Sequence, residues 1–294
     1  FAYLLPVLRQ LKFSEQKYPR ILVIVPTREL VLQVVAETEK LTKYMNVRVS
    51  GVYGGTNINT QKQLVYNGVD ILAATPGRLV DLVYTGVLRI NAIQKLVIDE
   101  VDEMLNLGFR PQLMNFLDSL PQRRQNLMFS ATLTEEVAGI IDSYFTDPVT
   151  VEIETSGTPL EQIRQYYYAV PNFYTKINLL EELLNGQAEF TRVLVFVESK
   201  QVADRVFEIL DPKFPGQLGV IHSNKSQNLR INSLERFKNG TSRVLISTDV
   251  ASRGLDIADI SHVINFDVPE IPEDYIHRIG RTGRAAKAGI ALSF

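Results

Sequence analysis

The sequence predicts an α/β fold of two tandem domains, each a mostly parallel sheet flanked by helices. Short apolar runs rich in β-branched residues alternate with amphipathic segments of helical length, as in Ile21–Val25 followed by Arg28–Tyr44. This alternation is typical of βα units, which build parallel sheets. It occurs twice along 294 residues, a length that suits two domains with a core each. A polar stretch containing Gly157 and Pro159 interrupts it near the middle.

The elements of the first half follow from these periodicities. The apolar runs predict strands at residues 21–25, 47–53, 70–74, 95–99, 126–130 and 149–153. The amphipathic segments predict helices at residues 28–44, 78–84, 103–119 and 135–145. The last helix follows Thr134, whose side chain is suited to capping a helix N-terminus.

The second half repeats the pattern. Strands are predicted at residues 164–169, 193–197, 218–221, 243–247, 262–266 and 290–294. Helices are predicted at residues 175–184, 200–210, 226–238 and 273–279. Residues 154–159 are polar and lack periodicity, which is typical of a linker. We therefore expect a first domain at 1–154, a linker at 155–163 and a second domain at 164–294.

Cysteine content, apolar runs and net charge limit the kinds of protein this chain can be and the way it can bind a nucleic acid. The chain has no cysteine, which excludes disulfides and thiolate zinc sites and predicts a reducing, cytoplasmic setting. No apolar run approaches the roughly 20 residues that cross a bilayer. The net charge of −2 argues against nucleic-acid binding through bulk positive charge. Any such binding should use a local groove with backbone amides and a few arginines.

The most informative segment is Asp99-Glu100-Val101-Asp102, which follows the apolar run Leu96-Val97-Ile98. A buried strand that ends in two adjacent carboxylates is suited to presenting acid to a phosphate–metal complex. The alternative is a pair of solvated turn carboxylates. Further short motifs follow in order and favour the functional interpretation, namely Ser130–Thr132, Ser247–Asp249, Arg253–Asp256 and His277–Arg284.

This ordered set resembles the helicase core of DEAD-box RNA helicases, which consists of two RecA-like domains. The resemblance extends over nearly the whole chain. Besides the motifs above, it rests on Pro26–Leu30, Gly54-Gly55, Thr75–Arg78, Phe196–Ser199 and Gln227–Arg230. It implies ATP and Mg²⁺ as cofactors and RNA, held mainly by its backbone, as the partner. It also implies local unwinding or remodelling of RNA, and we expect a monomer.

The resemblance also implies roles in nucleotide chemistry. Asp99 resembles the Mg²⁺ anchor, acting through water, and Glu100 resembles the general base. Arg281 and Arg284 resemble arginine fingers that offset transition-state charge. The remaining nucleotide-binding residues implied are Gly254 and Asp256, the latter contacting the ribose. The bland alternative for the two arginines is a solvated surface.

Two further groups are implied. One group is implied to couple the nucleotide site to the second domain, namely Asp102, Ser130, Thr132 and His277. Arg278 is expected to be structural or interdomain. The implied RNA contacts are Pro26, Thr27, Arg28, Gly54, Gly55, Thr75, Pro76, Gly77, Arg78, Ser199, Gln227, Arg230, Thr248 and Arg253. For the glycine and proline motifs, ordinary turn chemistry is the alternative. Helix N-termini bind phosphate without much net charge, in keeping with the near-neutral composition.

The sequence departs from the family at its beginning. No Gly-x-x-x-x-Gly-Lys-Ser/Thr phosphate loop occurs, and the glutamine-bearing adenine motif is also absent. Phe1–Pro6 resembles the stretch that directly follows that loop. We therefore expect a native upstream segment with the central strand and the loop, and weak or no ATP turnover by these residues alone. Without that strand, its neighbours should have unpaired edges.

Two other functions stay open. One is a non-catalytic RNA-binding scaffold derived from a helicase core, and the other is a DNA-directed translocase of the same superfamily. Among remaining features, His222 and His262 are expected in the core or at an edge. Tyr166-Tyr167-Tyr168 is interpreted as core and edge packing rather than as a base-stacking platform.

Overall fold

The computed structural model describes residues 2–152, 162–186, 189–252, 257, 259–283 and 288–294. The chain divides into two compact units, Phe1–Val151 and Glu152–Phe294. In each unit a sheet of parallel strands is flanked by helices, which confirms the predicted fold class. The segment expected to link the domains lies largely at 153–161, outside the described residues.

The first unit is built on a five-stranded parallel sheet with the order β2-β3-β1-β4-β5. Its strands are β1 Ile21–Ile24, β2 Val49–Val52, β3 Ile71–Ala74, β4 Lys95–Ile98 and β5 Gln125–Met128. The central strand β1 alternates between two cores. Leu22 and Ile24 pack on one face, and Ile21 and Val23 on the other. Burial on both faces explains why this strand is a continuous apolar run.

The helices of the first unit differ from the predictions in two respects. They are α1 Leu4–Arg9, α2 Arg28–Leu41, α3 Ile58–Tyr66, α4 Pro76–Tyr84, α5 Val101–Asn106, α6 Arg110–Asp118 and α7 Glu135–Tyr144. The single helix predicted at 103–119 is divided, because Gly108 adopts a φ of 77° and Pro111 opens a new helix. Helices α1 and α3 were not predicted. The predicted cap is confirmed, since Thr134 accepts from the Val137 amide at 3.3 Å.

Strands β4 and β5 pair directly, with Lys95 opposite Gln125 and Ile98 opposite Met128. The expectation of unpaired central edges is therefore wrong for this sheet, because β4 and β5 complete each other's backbone hydrogen bonds. The strand predicted at 149–153 is also wrong over its described part. Val149 and Val151 are 90% and 80% exposed there, so no sheet face covers them.

The second unit has a six-stranded parallel sheet with the order β6-β11-β10-β7-β9-β8 in the described ranges. The strands are β6 Ile163–Tyr167, β7 Val193–Phe196, β8 Leu218–Ile221, β9 Val244–Ser247, β10 His262–Asn265 and β11 Gly289–Ser293. The helices are α8 Phe173–Gly186, α9 Lys200–Leu210, α10 Gln227–Lys238, α11 Asp249–Ser252 and α12 Pro272–Ile279. Only α11 was not predicted, and its four residues are too short to show a helical period.

The histidines and tyrosines singled out in the sequence separate clearly. His222 and His262 are buried, as expected. His262 stacks on Phe190 with ring centroids 3.8 Å apart. Tyr166 and Tyr167 lie on the edge strand β6 but are 51% and 83% exposed, so the expectation of core packing is wrong for them. No helix among the described residues is both long and apolar enough to cross a bilayer.

Candidate functional site

The acidic pair lies at the carboxyl end of β4, as predicted from the order of residues. Asp99 follows the strand, and Glu100 precedes α5 with φ 52° and ψ 51°. This left-handed conformation is uncommon for a residue with a side chain and is typical of functional turns. It turns the chain sharply, so the Glu100 amide donates to the Asp99 carboxylate at 3.1 Å. In parallel α/β sheets, ligands bind beyond the carboxyl ends of the strands.

The surroundings of Asp99 change its proton affinity. Burial raises the pKa of the Asp99 carboxyl, although hydrogen bonds from the Tyr3 hydroxyl and the Glu100 amide act in the opposite direction. Burial, together with the negative charges of Asp99 and Glu100, raises the pKa of Tyr3. Tyr3 also packs against Phe129, with centroids 5.4 Å apart. Sequence reasoning missed Tyr3, because nothing local indicates that α1 reaches the acidic site.

Asp102 connects α5 to the segment after β5. Its carboxylate accepts hydrogen bonds from the Ala131 amide at 3.1 Å and from the Thr132 amide at 3.0 Å and hydroxyl at 2.9 Å. Ser130 donates to the Thr132 carbonyl at 2.7 Å, which tightens the same turn. The structure thus brings together three of the four residues assigned to coupling. The fourth, His277, lies in α12 of the second unit.

Predicted RNA-contact residues occupy two further strand ends of the first unit. Thr27 follows β1 and caps α2 by accepting from the Leu30 amide at 3.3 Å, which places Pro26 before the helix and Arg28 in its first turn. Gly55 follows β2 with φ 77°, and a Cβ there would overlap the Arg28 guanidinium. The left-handed conformation therefore favours glycine at 55, and a Cβ there would also require the end of the Arg28 side chain to move. A Cβ at Gly54 would meet no atom within 4 Å.

The segment Thr75–Arg78 forms the start of α4 after β3. Thr75 is the N-cap and Pro76 occupies the first turn, where its missing amide costs nothing. A Cβ on Gly77 would have open space. Arg78, in contrast, is only 8% exposed and donates to Gln61 Oε1 at 2.7 Å and to the Thr56 carbonyl at 2.9 Å. The structure directs this guanidinium inward rather than toward solvent, so its predicted phosphate contact remains a prediction.

Gln61 is the residue of this region that sequence reasoning missed. It is 7% exposed and, besides Arg78, contacts Tyr53 and Thr56. A signal was present, since Ile58, Gln61 and Val65 follow a helical spacing that places the glutamine on the inward face of α3. A polar side chain on such a face requires hydrogen-bond partners.

In the second unit, predicted contacts again follow strand ends. Ser199 caps α9 after β7 by accepting from the Val202 amide at 3.2 Å, and Thr248 follows β9. Gln227 begins α10, whose cap Ser226 accepts from the Leu229 amide at 3.4 Å. Arg230 lies one turn later and is 7% exposed. These residues occupy helix starts at one edge of the sheet, a position suited to anions.

His222, at the end of β8, connects α9 to the loop before α10. Its Nε2 lies 2.9 Å from Asp204 Oδ1, and its Nδ1 accepts from the Asn224 amide at 3.3 Å. Lys225 pairs with the same Asp204 oxygen at 2.7 Å. Burial alone would raise the pKa of Asp204, but hydrogen bonds from Lys225 and His222 lower it. The loop that leads to Gln227 is therefore held by side chains.

The contacts of Arg278 within the second unit support a structural role, one of the two roles expected for it (structural or interdomain). It is 3% exposed, forms a bidentate pair with Asp249 at 2.6 and 2.7 Å, and donates to the Asp267 carbonyl at 2.6 Å. These contacts anchor α12. The helix ends at Ile279, its C-cap is Gly280, and Arg281 is the next residue. The other predicted residues Arg253, Gly254, Asp256 and Arg284 lie outside the described residues.

The residues present fit a magnesium–nucleotide complex in chemistry. Mg²⁺ is usually bound through one or two carboxylates, with waters and substrate phosphates completing its shell. Asp99 and Glu100 supply that number of carboxylates at a strand end, and Asp99 is partly buried. Across the described part of the chain there is no cluster of three or more ligating side chains that would hold an ion by itself.

Comparison with known proteins places this geometry in a family. The DEAD/DEAH box helicase profile matches residues 1–140, and the helicase conserved C-terminal domain profile matches residues 175–286. The ATP-dependent RNA helicase RhlB of Pseudomonas syringae is 42% identical over 304 residues, covering 100% of this chain and 75% of RhlB. The DEAD-box ATP-dependent RNA helicase CshA of Geobacillus kaustophilus is 40% identical over 273 residues, covering 93% of this chain and 58% of CshA.

Solved structures agree. S. cerevisiae Dbp5 bound to RNA and ADP BeF3 matches with a TM-score of 0.86 and 27% identity, over 100% of this chain and 75% of that one. A DEAD box protein from Methanococcus jannaschii matches with a TM-score of 0.52 and 33% identity, over 99% of this chain and 77% of that one. The chain belongs to the DEAD-box family of RNA helicases.

Proposed function

We propose that this chain is the core of an ATP-dependent RNA helicase that binds RNA across both units and locally unwinds or remodels it. The observation that carries the proposal is the carboxylate pair Asp99–Glu100 at the end of β4, followed by an Asp102 that is hydrogen bonded to Thr132. The names of the similar proteins support the same reaction class. The partner we propose is RNA, in line with the names of those relatives, and the setting we propose is cytoplasmic.

Each residue of the nucleotide site has a proposed task. When bound, Mg²⁺ neutralises phosphate charge, and Asp99 would hold it through water. Glu100 accepts the proton of the attacking water as general base. Arg281 and Arg284 supply fixed positive charge for the transition state, and Asp256 with Gly254 contacts the nucleotide. Because these arginines lie in the second unit and the carboxylates in the first, hydrolysis requires both units in this proposal.

RNA contact is proposed at the helix starts of both units. The residues concerned lie at strand ends, where backbone amides and short polar side chains can meet phosphates with little net charge. In the first unit the set is Pro26–Arg28, Gly54-Gly55 and Thr75–Gly77, and in the second it is Ser199, Gln227, Arg230, Thr248 and Arg253. Contacts to the backbone predict weak sequence preference, and contacts to 2′-hydroxyls favour RNA over DNA.

Coupling between RNA and nucleotide is proposed to run through Asp102, Ser130 and Thr132 in the first unit and His277 in the second. The hydrogen bonds of Asp102 support its part, because they tie the acidic site to the turn after β5. We also propose that these 294 residues, which contain no phosphate-loop motif, turn over ATP weakly or not at all by themselves.

The test is RNA-stimulated ATP hydrolysis by the native protein, with Glu100→Gln as the matched variant. Turnover should rise with single-stranded RNA and fall by at least about a hundredfold in Glu100→Gln, the effect of losing a general base, while RNA binding persists. Stimulation by DNA alone would indicate a DNA translocase instead. RNA binding without turnover in the native protein would indicate a scaffold. Robust turnover by the 294 residues alone would contradict the proposal that they are inactive without a phosphate loop.

A further inference from the structure

The side chain of Gln61 connects α3 to two segments that carry predicted RNA contacts. It projects from α3, contacts the loop after β2 that contains Gly54 and Gly55, and meets Arg78 at the start of α4. Both Gln61 and Arg78 are less than one tenth exposed, so water does not compete for these bonds.

All the hydrogen-bonding capacity of the carboxamide is used. Its Nε2 donates to the Tyr53 carbonyl at 3.1 Å and to Thr56 Oγ1 at 2.8 Å. Its Oε1 accepts from the Tyr53 amide at 3.2 Å and from Arg78 Nη1 at 2.7 Å. A primary amide offers two donors and two acceptor sites, and each has a partner here.

The arrangement fixes the orientation of the amide. If its oxygen and nitrogen exchanged places, two donors would face the Tyr53 amide and the Arg78 guanidinium, and the oxygen would face the Tyr53 carbonyl. Only one orientation satisfies these groups, since arginine donates and never accepts. Glutamate cannot replace the amide, because it lacks the two N–H donors. Leucine or methionine would fill the volume but leave the surrounding groups without partners.

Arg78 completes the connection. Its Nη2 donates to the Thr56 carbonyl at 2.9 Å, one residue beyond Gly55. The loop after β2 is thus held at Tyr53 by Gln61, and at Thr56 by Gln61 and Arg78 together. Gly54 and Gly55 lie between these two fixed points. The glycines therefore have a set backbone position although they lack side chains that could hold them.

From this geometry we infer that Gln61 is a positioning residue for RNA binding: together with its buried partner Arg78, it holds the Gly54-Gly55 backbone in the arrangement that receives the RNA backbone. The inference rests on the proposed function for its RNA part. Gln61 itself does not touch RNA in this account. Its effect passes through the backbone of residues 53–56, which is pre-organised before RNA arrives and so pays less ordering cost on binding.

The experiment uses the native protein with Gln61→Met and Gln61→Glu. The matched controls are Gln63→Met and Gln63→Glu, since Gln63 lies two residues further along the same helix and is exposed. The glutamate pair adds the same charge at both positions, so any general repulsion of RNA appears in the control as well. Hydrogen exchange of the amides at 53–56 is measured beside RNA-stimulated ATP turnover.

Both Gln61 variants should exchange faster at residues 53–56 than the controls, with β1 and β4 still protected. The RNA concentration for half-maximal stimulation should rise about tenfold, the consequence of losing about 1.4 kcal/mol of pre-organised interaction. Turnover at saturating RNA and KM for ATP should stay unchanged. A merely structural role would instead lower the fraction of active protein and reduce maximal turnover.

Unchanged exchange at 53–56 in Gln61→Met would overturn the inference, as would a loss of maximal turnover with no change in the RNA requirement. If the native protein shows no stimulation by RNA, the proposed function fails. The exchange measurement still tests the loop-holding part in that case, because it needs neither RNA nor nucleotide.

Discussion

The Asp102 carboxylate holds Thr132 at two points, its amide at 3.0 Å and its hydroxyl at 2.9 Å. The same oxygen accepts from the Ala131 amide, while the second oxygen accepts from the Glu103 amide at 3.1 Å. Asp102 is only 4% exposed. One buried carboxylate thus joins the start of α5, next to the acidic pair, to the turn after β5. A shift in the position of either segment should therefore alter the hydrogen bonds of the other.

Asp102→Asn should weaken this connection. An asparagine presents one oxygen, so its amide group must face either the Thr132 turn or the Glu103 amide, and one set of donors loses its acceptor. We expect a loss of about 1–3 kcal/mol in the free energy of unfolding, measured in urea. Thr132→Val removes a single hydroxyl donor and should cost about 1 kcal/mol. Equal costs for the two variants would contradict this ordering.

Arg278 and Arg281 should separate structure from catalysis. Arg278→Ala removes a buried guanidinium that pairs with the partly exposed Asp249 and donates to the Asp267 carbonyl, and losing these charged hydrogen bonds should cost about 2–3 kcal/mol. Arg281 lies after the helix end and is partly exposed, so Arg281→Ala should change the melting temperature much less but reduce ATP turnover. Thermal unfolding and ATP hydrolysis of both variants test this. A large drop in stability for Arg281→Ala would assign it a structural role instead.

Gly55→Ala and Gly54→Ala form a matched pair. Alanine at 55 must adopt a φ of 77° and displace the Arg28 guanidinium, whereas alanine at 54 meets open space. The left-handed conformation alone costs about 1–2 kcal/mol for a residue with a Cβ. Gly55→Ala should therefore lower both the free energy of unfolding, measured in urea, and RNA affinity, while Gly54→Ala leaves the free energy of unfolding within about 0.5 kcal/mol of the native value. Equal effects of the two variants on the free energy of unfolding would contradict the preference for glycine at 55.

Asp70 should make stability depend on acidity. It is 2% exposed and pairs with Arg20 at 2.9 Å and with Arg48 at 2.8 Å. Burial alone would raise its pKa, but the hydrogen bonds from Arg48 and Arg20 lower it below the ordinary value. A lowered folded-state pKa means that the pair stabilises the fold above about pH 4 and that this stability is lost as pH falls through the folded pKa.

Asp70→Asn should cost about 3 kcal/mol near pH 7, and the gap to the native protein should narrow as the pH falls below about 4. Urea unfolding across this range measures it. Glu39→Gln, an exposed carboxylate of α2, serves as the control and should leave the unfolding free energy nearly unchanged at every pH. A gap for Asp70→Asn that stays constant with pH would show that its charge is not responsible.

Local patterns in the sequence determined the type of nearly every element, because strand and helix periods are properties of neighbouring residues. Lys200–Leu210 and Leu218–Ile221 were predicted to the residue, and Ser199 is a cap because serine precedes an amphipathic run. The order of motifs also placed Asp99 and Glu100 at a strand end. Gly108 and Pro111 could have indicated the break within the helix predicted at 103–119. The apolar period continues across them, and it led to the prediction of a single helix.

Only the tertiary structure decided which distant groups meet. The direct pairing of β4 with β5, the approach of Tyr3 to Asp99 and the inward turn of Arg78 each depend on residues far away in sequence. The contact between Gln61 and Tyr53 is local, since they are eight residues apart. Gln61 and Arg78, in contrast, meet only because β2 and β3 are neighbours in the sheet. Hydrogen-bond partners are set by where parallel strands place their ends, and that placement is a property of the assembled sheet rather than of any local run of residues.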